Sequence, residues 1–431
     1  MKLTSLALHL IALSVTTVGF AKIIGTNPPA LPLTQERIAT LPKDEQPAWR
    51  DYLERSVRLR AADQTSFAAE IKTRENTEIS LPPKGHDAHS VSLDRRASWY
   101  GSADARHIAD NVISYQTPAG GWSKNFNPTA HTRQPGEAYS HDNTSPFLGK
   151  DDNDQPAQPH WSYIGTFDND ATITELRFIA KVAAAASTET RTRYATAFHR
   201  GLEYIFNAQY PNGGWPQVYP LDGGYHDAIT FNDGAMIHVL SLLRDVAAGE
   251  TDFKFVTADD RDRAAQSAKR GIACVLASQI KVDGHLTAWC QQHDLLTLVP
   301  TSARNYEMPS LASGESAGIL MFLMELPKPN SDIKDAVRGA AAWFKKTALY
   351  NKKFKPAPDG TGRQLQTAPG EGPIWSRYAE IGTNRPLFGD RDKSIHDEVD
   401  EISQERRNGY AWFGDNPKRV LDHFAKWTKT H

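Results

Sequence analysis

Apolar residues recur at spacings of three and four over several stretches of the chain, the period of an amphipathic helix. Behind Thr166-Phe167-Asp168-Asn169-Asp170-Ala171-Thr172 stand Ile173, Leu176, Ile179, Ala180 and Val182. Sixty-four residues later, Thr230-Phe231-Asn232-Asp233-Gly234-Ala235-Met236 leads into Ile237, Leu240 and Leu243. Each pattern predicts a helix that opens directly after a cluster of Asp and Asn. A coarser repeat surrounds them. Gln116-Thr-Pro-Ala-Gly120-Gly121-Trp122 matches Gln209-Tyr-Pro-Asn-Gly213-Gly214-Trp215, and Arg-Gly pairs recur at 200–201, 270–271 and 338–339. A unit of helix, Gly-rich turn, loop and helix buries its apolar face only by stacking on its neighbours. The predicted architecture is all-α, an (α/α) toroid of helix pairs with long loops and short irregular strands.

Outside the repeat the pattern changes. Residues 27–33 hold three prolines and read as a linker. Residues 34–72 are helical, with breaks expected at Pro42 and Pro47. Pro82-Pro83 marks a loop. The polar stretch 127–160 is long enough to be a functional loop; within it, Asp151-Asp152-Asn153-Asp154 is a cation site or, more simply, a solvated turn. Residues 356–414 show little helical period, and Val420, Leu421, Phe424 and Trp427 predict a closing helix. At the front, Lys2, an apolar run to Phe20 and Gly19-Phe20-Ala21 read as a secretory signal over 1–21. The division that follows is a helical extension over 22–95 and a toroidal domain over 96–431, in a protein that is secreted or periplasmic.

Composition narrows the partners. With 23% charged residues and a net charge of −2, nothing draws the chain in bulk to nucleic acid or to a membrane surface. Two cysteines, Cys274 and Cys290, make no disulfide framework, so packing must stabilise the fold. The ten Trp serve equally in a core or against sugar rings.

The chemistry-bearing residues gather in a few stretches. Carboxylates at helix N-termini are expected to stay ionised, which suits ligands of a hard cation; the plain alternative is that Asp170 and Asp233 cap their helices. Lys124 and Asn125 follow the first Gly-Gly-Trp; Arg304 and Tyr306 lie beyond Trp289-Cys290-Gln291-Gln292; Arg377, Arg385 and Arg391 lie in the irregular last third. Guanidinium forks grip carboxylates in pairs, so the set points to an anionic ligand, partly bridged by a metal. Three other readings fit parts of the pattern: an inverting glycoside hydrolase using Asp168 and Asp233, a triterpene cyclase, whose Gln-x-x-x-Gly-x-Trp motif occurs here twice, and a pectin-binding module without catalysis.

Taken together, the motifs resemble those of polysaccharide lyase family 10, the pectate lyases. The matching stretches are Gly-Gly-Trp-Ser-Lys-Asn (120–125), Phe-Asp-Asn-Asp-Ala-Thr (167–172), Tyr-Pro-Asn-Gly-Gly-Trp-Pro-Gln (210–217), Ile-Thr-Phe-Asn-Asp (229–233), Ala-Trp-Cys-Gln-Gln-His-Asp (288–294), Tyr-Glu-Met-Pro-Ser-Leu (306–311) and Arg-Asn-Gly-Tyr-Ala-Trp-Phe-Gly (407–414). The resemblance implies cleavage of polygalacturonate by calcium-dependent anti β-elimination in an open cleft, and the chain is expected to act as a monomer. It places the calcium on Asp168, Asn169 and Asp233 and leaves Asp170 outside the ligand set. It puts the catalytic base on Arg391, with Arg385 as the neighbouring alternative, and substrate contacts on Arg377, Arg304, Tyr306, Lys124, Asn125 and Arg385.

Overall fold

In the computed structural model, residues 22–74, 78–85, 91–129 and 131–431 are described. The segment read as a secretory signal lies outside them. The helices in chain order are α1 (Gln35–Ile38), α2 (Gln46–Lys72), α3 (Ala103–Ser114), α4 (Ile173–Ala185), α5 (Thr188–Ala208), α6 (Ala235–Ala248), α7 (Ala258–Ala277), α8 (Ser313–Glu325), α9 (Ser331–Thr347), α10 (Gln404–Gly409) and α11 (Asn416–Trp427).

Burial sorts the helices into two rings. Helices α4, α6 and α8 are buried on most of their surface, and α4 touches α6, which touches α8. Helices α5, α7 and α9 each bury one stripe, and they contact their inner partners and one another. An apolar stripe on the outer ring and all-round burial on the inner one are what an α/α toroid requires, and this is the fold.

The Gln and Trp marks of the repeat lock the rings together. Gln116 Nε2 donates to the carbonyls of Gly120 in its own turn (2.9 Å) and Ala197 on α5 (3.0 Å). Gln209 repeats this with Gly213 and with Ser267 on α7, and Gln279 with Thr287 and with Ala336 on α9. Each glutamine therefore hooks a rim turn to the next outer helix. Trp122, Trp215, Trp289 and Trp375 are all buried, and each indole N–H donates to a carbonyl ending a helix: Val112, Ile205, Val275 and Phe344. The Arg-Gly marks are close-approach points. A Cβ on Gly271 would lie 2.6 Å from Leu240 on α6 and 2.7 Å from Trp215, so only glycine lets α7 sit this near.

At the N-terminus the break falls at Pro42 as expected, but Pro47 stands in the first turn of α2, where its missing N–H costs nothing. Residues 27–33 are not a free linker: Asn27, Ala30 and Leu33 are buried. The irregular last third forms short antiparallel strands. In one sheet, 25–26 pairs with 394–396, then 386–389, 378–379 and 311–312 follow, with Gly25 opposite Ile395 and Tyr378 opposite both Leu387 and Ala312. This sheet covers a second apolar cluster that includes Tyr306, Tyr378, Phe388 and Trp412. Cys274 and Cys290 are free buried thiols. Among the described residues no helix is long and apolar enough to cross a membrane.

Candidate active site

The two Asp/Asn clusters meet at one rim of the toroid. Neither α4 nor α6 is capped by a side chain, so helix capping does not account for the carboxylates. Instead the chain enters both helices through left-handed backbone: φ is 51° at Asn169, 60° at Asp170, 67° at Thr172 and 49° at Asp233. Non-glycine residues in this region are uncommon and cluster at functional sites. The kinks turn Asp168, Asn169, Asn232 and Asp233 into a cavity of about 100 Å³ that Lys124, Tyr163, Gln217, Tyr225, Gln291, Gln292, Ala303, Arg304 and Glu307 complete.

Asp168 is the centre of this set. Its Oδ2 accepts from Lys124 Nζ at 2.5 Å; its Oδ1 accepts from Gln217 Nε2 at 3.1 Å and Asn232 Nδ2 at 3.4 Å. The same Asn232 amide donates to Asp233 Oδ2 at 3.0 Å. One amide nitrogen thus reaches both carboxylates and ties the two helix entrances together. Burial works to raise the Asp168 pKa, but the Lys124 ammonium outweighs it and holds the carboxyl below its ordinary value. Asp233 behaves differently: burial, then the charge of Asp168, pushes it up to about 6. The expected lowering of the pKa thus holds for Asp168 and is reversed for Asp233. A second carboxylate, Asp168, lies beside it, and no helix N–H caps its side chain to offset that.

A hard cation fits this donor set. Two carboxylates and the side-chain amides of Asn169 and Gln292 line one cavity, oxygen donors of the kind calcium prefers, and a cation there would relieve the repulsion that raises Asp233. Gln292 also lines the cavity, and its buried Oε1 has no hydrogen-bond partner among the described residues. Asp170 turns away from the cavity to pair with His238 on α6. A different acidic group, His199, Glu203 and Asp260, brings its ligand atoms within 4.8 Å of one another between α5 and α7. Arg263 already bridges Glu203 and Asp260 there, and none of the three lines the cavity.

The arginines divide into two sets. Arg304 lines the cavity, on a tight turn closed by Glu307 N–H to Arg304 carbonyl (2.9 Å). Its guanidinium is gripped by Glu307 through Nε (3.0 Å) and Nη2 (2.6 Å). Burial disfavours its charge, yet Glu307 overrides this and drives the Arg304 pKa up; the same pair holds Glu307 down at about 2. Arg377 reaches the cavity wall, donating to Glu315 (2.7 Å), Asn232 (3.2 Å) and Gln291 (3.4 Å).

Arg391 does not line this cavity. It lies beyond the ring of Tyr306, which it shares with Arg304 and Arg406 at 5.6, 5.2 and 4.4 Å from the ring centre. Glu405 binds its Nε (3.0 Å) and Nη2 (3.2 Å), and the exposed Phe147 stands 5.3 Å away. Arg385 is further removed in role. It is a partly exposed partner of Glu380 and Asp397 on the C-terminal sheet. Asn125 points to Asn143 rather than to the cavity.

Three participants were present in the quoted motifs but had no role until folded: Asn232 between the carboxylates, Gln217 on Asp168, and Glu307 on Arg304. The Asp151–Asp154 stretch is more than a solvated turn. Asp152 is buried 3.9 Å from Arg391 Nη1, and Asp154 accepts from the hydroxyls of Tyr163 (3.0 Å) and Tyr225.

The family model described as pectic acid lyase matches residues 116–421. Two solved structures of a family 10 polysaccharide lyase from Cellvibrio cellulosa are similar to this one. An aspartate-to-alanine mutant in complex with trigalacturonic acid has 32% identity and a TM-score of 0.63; the other has 33% and 0.64. Each alignment covers 78% of this chain and 98% of that chain. Comparison with curated proteins gives no match.

Proposed function

The chain belongs to the pectic acid lyase family, and we propose that it cleaves α-1,4-polygalacturonate by calcium-dependent anti β-elimination after export from the cell. The observation that carries this reading is the cavity lined together by the buried Asp168 carboxylate, the carboxylate of Asp233 at its mouth, Lys124 and Arg304.

Asp168 and Asp233, with amide oxygens from Asn169 and Gln292, would hold the calcium. When bound, it supplies positive charge that neutralises a uronate carboxylate and so acidifies the C5 proton. Lys124 and Arg377 bind and orient the same class of group from the protein side. Arg377 also fixes Asn232, and through it the spacing of the two aspartates. Beyond Tyr306, the partly exposed Arg391 offers its guanidinium to the carboxylate of a neighbouring sugar.

The base is assigned to Arg304 rather than Arg391, because Arg304 is the guanidine inside the cavity with Asp168 and Asp233. Its neutral form removes the C5 proton at Nη. The electron pair of that bond forms the C4–C5 double bond, the C4–O bond breaks, and the departing oxygen takes a proton from solvent. No water is consumed. A guanidine has a pKa of about 12 or more, and Glu307 raises it further. The competent fraction therefore grows about tenfold per pH unit, and an alkaline optimum follows.

The test follows the ultraviolet absorbance of the conjugated C4–C5 double bond on polygalacturonate at alkaline pH. Product should form with calcium, stop on chelation and resume when calcium is returned. Saturated ends, formed equally well in chelator, would replace this reading with hydrolysis.

A further inference from the structure

The turn that carries Arg304 is anchored from outside the region matched by the family model. Asn27 is 1% exposed, and its side chain is wholly committed to this turn. Its Nδ2 faces the carbonyls of Arg304 (3.0 Å), Asn305 (3.0 Å) and Glu307 (3.1 Å), and its Oδ1 accepts from Ser302 Oγ (2.7 Å). No other single side chain among the described residues binds this turn at so many points. Asn27 is itself fixed: its backbone N–H donates to Lys393 carbonyl (2.8 Å), and the preceding pair 25–26 is a strand of the C-terminal sheet. Three residues on, Ala30 packs against Tyr225 and Ala303, both of which line the cavity. Leu33 N–H then donates to Asp227 Oδ2 at 3.0 Å, and the same carboxyl, through Oδ1, holds Gly223 N–H. Residues 25–33 thus run as a strap behind the cavity wall.

The geometry points to Asn27 as a positioning residue for Arg304. Without Asn27 the Arg304 and Glu307 carbonyls would keep only the bonds that close the turn, and the Asn305 carbonyl would lose its donor; a guanidine displaced by about 1 Å loses on the order of a hundredfold in rate. The inference rests on Arg304 acting as the base. Asn27 touches neither Asp168 nor Asp233, so cation binding should be independent of it.

The full-length protein carries the test as Asn27→Asp, which keeps size and the acceptor for Ser302 but removes both donor protons, with Asn27→Ala beside it. Three quantities are measured: kcat and KM on polygalacturonate, calcium binding by titration calorimetry, and amide hydrogen exchange over residues 302–307. Both variants should lose about ten- to a hundredfold in kcat with KM within about threefold. Calcium affinity should be unchanged, and the amides of Ala303 and Glu307 should exchange at least tenfold faster. Wild-type exchange there, or wild-type kcat in a variant whose exchange is faster, overturns the positioning role. A uniform rise in exchange over the whole chain also overturns it, by showing general destabilisation instead. If the wild-type protein makes no unsaturated product, the reading of the site fails. The exchange of Ala303 and Glu307 still decides whether Asn27 holds the turn.

Discussion

Replacing Glu307 with Gln separates the two things that pair does to Arg304, holding it and charging it. Gln keeps the shape and can still accept from Tyr410, whose hydroxyl lies 2.6 Å from Glu307 Oε1. What it removes is a negative charge in two-point contact with the guanidinium, at 2.6 and 3.0 Å, on a side chain only 2% exposed. With charge centres ~4 Å apart and an effective dielectric of ~20, the interaction is roughly 4 kcal/mol, or about three pKa units. The sign is unambiguous. Glu307 raises the pKa of Arg304, so its loss lowers that pKa and enlarges the neutral fraction at any pH below it. The variant should be destabilised by about 3–5 kcal/mol, as expected when one member of a buried pair is removed, so rates are taken at low temperature where the protein stays folded. The assay is initial-rate kcat/KM for unsaturated product across the alkaline range. The limb that rises with pH should move down by about one to three pH units, even though the plateau falls through poorer positioning. A limb that stays at its wild-type pH in a folded, calcium-binding variant would refute the assignment of the titrating group.

Two further outcomes bear on other parts of the structure. Asp63 on α2 is pushed up to about 7 by burial, although it accepts from Ala119 N–H at 2.7 Å. The folded state therefore holds this proton more tightly than the unfolded chain, whose Asp pKa is ~3.9, and stability falls as pH rises from about 4 through about 7. Asp63→Asn should raise Tm at pH 8, by up to roughly 4 kcal/mol of stability, and leave pH 4 unchanged; an equal effect at both pH values would contradict the shift. Arg391→Ala should raise KM for polygalacturonate about tenfold while kcat stays within about threefold; a collapse of kcat would return the base to Arg391.

Much of the fold was legible because it is written in local pattern. The helical period before and after each Gly-Gly-Trp, and the Gln that precedes it, report a unit whose hydrogen bonds recur three times with the same geometry. The meeting of the two Asp/Asn clusters was suggested by their echo. The parts that local pattern does not carry depend on contacts distant in sequence. Arg391 and Arg304 have the same side chain, and nothing local says that Glu405 holds one beyond Tyr306 while Glu307 holds the other in the cavity. The prolines of residues 27–33 read as a linker, since the burial of Asn27 comes from a turn 277 residues away. The charge state of Asp233 depends on Asp168, 65 residues earlier and on another helix entrance. The Asp151–Asp154 stretch looked solvated because its partners, Tyr163, Tyr225 and Arg391, are brought to it only by the folded rim.

The central claim, that Arg304 is the group that takes the C5 proton beside a cation held by Asp168 and Asp233, is tested most directly by Arg304→Lys. In that variant, single-turnover formation of the C4–C5 double bond is followed at saturating polygalacturonate and calcium, with calcium binding measured on the same sample. The account predicts wild-type calcium affinity with product formation at least a thousandfold slower, on the order of the loss for a missing general base. Product formed at close to the wild-type rate would contradict it.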